Sequence, residues 1–76
     1  MHNRIALNPT VCHGKPVIRG TRVMVSTILG ALGAGDTIDM ILEDYPNINR
    51  EDIAAALSFV SELAQFEDIP YELDPA

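Results

Sequence analysis

Asn49 is followed three residues later by Asp52, and Ile48 and Ile53 bracket the pair. This is a helix start signal. An N-cap side chain and an N3 carboxylate can satisfy each other's backbone N–H, while apolar residues at N′ and N4 staple the entry. Behind it, Ile53, Ala56, Leu57, Val60, Leu63 and Ala64 recur at helical spacing, with Phe59 and Phe66 widening the face. The pattern predicts a helix over about 50–66. One apolar face of that length must be covered, so the rest of a short chain has to pack against it.

Two shorter helices precede it. Val25, Ile28, Leu29 and Leu32 follow i, i+3, i+4, i+7 spacing. Gly30 and Gly33 weaken this helix by about 1 kcal/mol each relative to alanine, unless they let a neighbouring helix approach closely. Gly35 is placed to stop it in a left-handed cap. Asp36 or Thr37 caps the next helix, whose buried face is Ile38, Ile41, Leu42 and Tyr45 and which Pro46 ends.

The first third is different. Residues 1–11 read as a short edge strand carrying Ile5, Leu7 and Val11, with a turn at Asn8-Pro9. A loop at residues 12–16 leads to two β-rich stretches, Val17-Ile18 and residues 21–25, separated by Arg19-Gly20. They predict a small hairpin, too weak alone and therefore packed on the helices. The expected architecture is mainly α, with a three-helix core behind short N-terminal strands. One domain spans residues 1–66, and residues 67–76 form an acidic C-terminal tail that orders on a partner. That tail carries four acids, two prolines, Ile69, Tyr71 and Leu73.

Charge divides the chain more sharply than its total of −6 implies. Residues 1–35 hold Arg4, Lys15, Arg19 and Arg22 and no acid, giving +4, whereas residues 36–76 hold Arg50 against all eleven acids, giving −10. The basic half suits phosphates or an acidic protein site, and the acidic half would have to face away from nucleic acid. A hydrophobic content of 47% is high for 76 residues. Surplus apolar surface on so small a body predicts a homodimer or an obligate partner. No apolar run approaches the roughly 20 residues of a membrane span, and one cysteine makes no internal disulfide. A cytoplasmic protein is the simplest expectation.

The densest candidate site is residues 15–22, where Lys15, Arg19 and Arg22 surround Gly20 and Thr21. Cations with a glycine that lets backbone approach can grip phosphates. The same residues equally suit a solvated turn. The pair of helices around Pro46 resembles a helix-turn-helix, which would offer Asn49 and Arg50 to a DNA groove. A plain three-helix core is the simpler reading of that pattern, because the long helix carries one base against three acids. Cys12-His13 lacks the partners of a zinc site, and a half-buried loop thiol explains the cysteine. Asp36, Asp39 and Glu43 share a helix face with nothing to complete a metal site. No catalytic constellation, metal or cofactor is expected.

Asn8-Pro9 and the run Cys12-His13-Gly14-Lys15-Pro16-Val17-Ile18-Arg19-Gly20-Thr21-Arg22-Val23 resemble the signature of the domain of unknown function 433 family. Gly35, Thr37, Asp44-Tyr45-Pro46, Asn49, Glu51-Asp52-Ile53 and Ala55-Ala56-Leu57 continue the likeness, which covers about residues 4–66. His13 stands where that family often has glycine, and Met24 where it often has proline. The resemblance implies a helix-turn-helix-like, homeodomain-like fold. It also implies a VapB-like antitoxin, dimeric, binding a PIN-like nuclease toxin and its own operator DNA as an autorepressor. Lys15, Arg19, Gly20, Thr21, Arg22, Asn49 and Arg50 are the candidate contacts. The alternative is a protein-interaction module without DNA binding.

Overall fold

A computed structural model describes residues 3–66, apart from the side chain of Phe66. The reading of residues 67–76 as a tail lies outside the described residues. The elements run β1 (Ile5–Ala6), a 3-10 turn (Cys12–Gly14), β2 (Val17–Ile18), α1 (Val25–Gly33), α2 (Ile38–Asp44) and α3 (Arg50–Phe66). The three helices pack on one another, and β1 lies against α3. Expectation and structure agree on a small, mainly helical body with a short two-stranded ribbon at its N-terminal end.

Side chains from every main element meet in one core. Ile5, Ile18, Val25, Ile28, Ile41, Ile48, Ile53 and Ala56 are all buried. Ile18, Ile28, Ile41 and Ile53 are its largest fully buried members, each worth about 1.5–3 kcal/mol of apolar transfer. They come from β2, α1, α2 and α3 respectively, so no element can leave without exposing one.

The helix ends follow their sequence signals. At the end of α1, Gly35 takes φ +98°, its N–H donates to Leu32 O, and Asp36 N–H donates to Ala31 O. These two bonds form a Schellman stop, and the left-handed residue favours glycine. Of the two candidate caps of α2, Thr37 is the one used: its Oγ1 accepts from Met40 N at 3.1 Å. At α3, Asn49 Oδ1 accepts Asp52 N–H at 2.9 Å and Asp52 Oδ2 accepts Asn49 N–H at 3.0 Å. The predicted capping box is complete, and Ile48 and Ile53 are buried beside it.

Three details differ from the sequence reading. The first strand is two residues long, not most of residues 1–11. Asn8 turns the chain out of the sheet: its Oδ1 accepts both Thr10 N–H and Thr10 Oγ1–H, and its carbonyl accepts Val11 N–H. Gly30 and Gly33 do not admit a neighbouring helix, since a Cβ at either would meet nothing within 4 Å. The apolar face of α3 is only partly covered. Ile53 and Ala56 are buried and Phe59 and Val60 pack partly buried against the core, whereas Leu57 and Leu63 stay 42% and 49% exposed.

The β-ribbon is antiparallel, pairing Ile5 with Ile18 and Ala6 with Val17. Its third edge is a single bridge, Val17 to Met24. The predicted tight hairpin therefore survives as a turn: Thr21 N–H donates to Ile18 O, and Ile18 N–H donates to Val23 O. The main partner of β2 is the more distant β1.

Candidate anion-binding face

The basic segment begins in an unusual loop. Cys12, His13 and Gly14 all adopt positive φ, at +50°, +58° and +78°. Each non-glycine residue in that region costs roughly 1–2 kcal/mol. Gly14 N–H to Val11 O and Lys15 N–H to Cys12 O close the loop at 3.0 and 3.2 Å. Cys12 Sγ is half-buried and lies 3.7 Å from Arg22 O, a weak contact joining this loop to the next turn.

That next turn carries Gly20 at φ +80° and is built by Thr21. Thr21 Oγ1 donates to Ile18 O at 2.8 Å and accepts Val23 N–H at 3.0 Å. The hydroxyl's single proton and one of its two lone pairs are thus spent on shaping the backbone.

The three cations separate into two kinds. Arg19 is tied internally: Nε donates to Asn3 O at 2.6 Å and Nη2 to Ile5 O at 3.1 Å, while its backbone N–H donates to Arg4 O at 2.7 Å. One residue holds three successive carbonyls of the N-terminal chain. Lys15 and Arg22 are exposed, and neither side chain has a hydrogen bond or ion pair among the described residues. Between the loop and the turn lies an open cleft of about 430 Å³, lined by Ala6, Asn8, Val11, Val17, Gly20, Thr21 and Arg22. Its described lining contains one cation and no acid.

The two remaining candidates sit at the start of α3. Asn49 spends its side-chain oxygen on the capping box. Arg50 pairs with Asp39 of α2 across an exposed surface, a contact that water competes for. Sequence reasoning passed over Arg4, whose guanidinium meets Asp52. The only available signal was that Asp52, at N3 of a stapled helix, faces inward. No described group of three or more His, Cys, Asp or Glu side chains is arranged to hold a metal, and no described helix is long and apolar enough to cross a membrane.

Comparison with known proteins identifies relatives but no activity. The chain is 35% identical over 52 residues to the uncharacterized protein y4eO of Sinorhizobium fredii (strain NBRC 101917 / NGR234), an alignment covering 68% of this chain and 24% of that protein. This chain therefore spans about a quarter of that relative's length. A crystal structure of a DUF433 member from Anabaena variabilis superposes with a TM-score of 0.78 at 32% identity, over 83% of this chain and 62% of that one. Residues 5–60 match the family described as "Protein of unknown function (DUF433)". With most of its length and its fold shared in this way, the chain belongs to the DUF433 family.

Proposed function

We propose that this chain is a VapB-like antitoxin, a dimer that binds a PIN-like nuclease toxin and represses its own operator. The reading rests on what the resemblance of residues 4–66 to the DUF433 signature implies. One observation supports it: among the described residues the exposed side chains of Lys15, at the end of the 3-10 loop, and Arg22, beside the turn that Thr21 builds, have no ion-pair partner. An exposed cation held on a rigid turn loses little entropy on meeting a phosphate or a carboxylate-rich metal site. The helix pair around Pro46 would act as a homeodomain-like helix-turn-helix. Asn49 and Arg50 would then have to exchange their present partners for DNA.

A protein-interaction module without DNA binding is the second reading. It is favoured by those same engagements of Asn49 and Arg50, which leave the start of α3 with little to offer a base edge. A gel shift on the region upstream of the chain's own gene, across a salt series, separates the two. A sequence-selective shift supports the repressor. Its absence, with or without the product of the neighbouring gene, leaves the interaction module.

A further inference from the structure

The cleft beside Arg22 has a composition that phosphate binding does not explain. Ala6, Val11 and Val17 give it apolar walls, and Arg22 supplies charge at one side. A bare phosphate would use the arginine and waste the walls. A better-matched ligand is an extended peptide in which carboxylates alternate with aliphatic or aromatic side chains.

The chain itself contains such a peptide. Residues 67–74 include Glu67, Asp68, Glu72 and Asp74 interspersed with Ile69, Tyr71 and Leu73. Every described lining residue of the cleft comes from the half of the sequence that has no acid, and this segment from the half that holds all eleven. The opposite charges steer such an encounter, and apolar burial holds it.

We propose that the cleft receives residues 67–74 of a second copy of this chain. Exchange between two copies differs from a return of the same chain in depending on protein concentration, which the test below reads. Reciprocal exchange between two copies fills both clefts. It also engages Arg22, so another anionic target meeting that side chain has to displace the segment, whereas Lys15 is not among the described residues lining the cleft. This inference goes beyond the antitoxin reading and does not need it, because the assay contains neither toxin nor DNA.

The test uses full-length protein and sedimentation velocity, with circular dichroism to confirm that each variant is folded. Arg22→Glu reverses the cleft, and Glu72→Lys with Asp74→Lys reverses the segment. Wild type is expected to dimerise, less tightly at high salt, and each variant alone to weaken dimerisation by about tenfold or more. Mixing the two variants in equal amounts restores the dimer, since each cleft then meets a segment of opposite charge. A monomeric wild type, variants that dimerise like wild type, or a mixture that stays as weak as its components would each overturn the proposal.

Discussion

Arg4 Nη1 lies 3.0 Å from Asp52 Oδ1 and joins the N-terminal chain to the first turn of α3, 48 residues away. Asp52 is itself 8% exposed. Its second oxygen already accepts Asn49 N–H, so one carboxylate both starts the longest helix and fastens the ribbon to it. Asp52→Ala removes the cap bond and the ion pair together and should cost about 2–3 kcal/mol. Arg4 is half exposed, so Arg4→Ala should cost less, about 1 kcal/mol. Urea unfolding of both variants checks the order. Equal losses would mean that the cap contributes nothing.

Arg19 and Arg22 are separated by two residues and should behave oppositely. Arg19→Ala strips two charged donors from the Asn3 and Ile5 carbonyls and is expected to lower stability by about 1–2 kcal/mol. Arg19→Lys should recover only part of this, because an ammonium cannot reproduce the planar fork. Arg22→Ala breaks no side-chain hydrogen bond or ion pair among the described residues and should stay within about 0.5 kcal/mol of wild type. Thermal melts of the three variants distinguish a structural arginine from a surface one.

His13 occupies a left-handed position with its side chain exposed. His13→Gly relieves about 1–2 kcal/mol of local strain and adds about 0.5–1 kcal/mol of unfolded-state entropy. The net gain should be about 0.5–1 kcal/mol, a rise of a few degrees in Tm for a domain of this size. A fall in Tm would show that the imidazole stabilises the loop by more than its backbone costs.

The helices were legible because their instructions are local. Asn49 and Asp52, Gly35 and Pro46 each act within a few residues, and the periodicity of Ile38, Ile41 and Leu42 fixes the inward face of α2. The pairing of β1 with β2 was not legible, because it joins residues 11 and 13 apart across a turn whose conformation follows from Asn8 and a strained loop. The candidate site was legible as a cluster of residues but not as a set of roles. Lys15, Arg19 and Arg22 look alike in sequence. What separates them is whether backbone carbonyls lie within reach, and only the folded chain decides that. Arg4 escaped attention for the same reason, since its partner is almost the whole domain away.

The central claim is that Lys15 and Arg22, rather than Arg19, Asn49 or Arg50, form the charge that meets an anionic target. The most direct measurement is fluorescence anisotropy of a labelled duplex from the region upstream of the chain's own gene, titrated with protein across a salt series. For wild type the account predicts sequence-selective binding that weakens steeply with salt. In Lys15→Ala/Arg22→Ala the salt dependence should flatten by about two units of log–log slope per protomer, with the fold unchanged. Absence of selective binding by wild type, or an unchanged slope in the folded double variant, would contradict it.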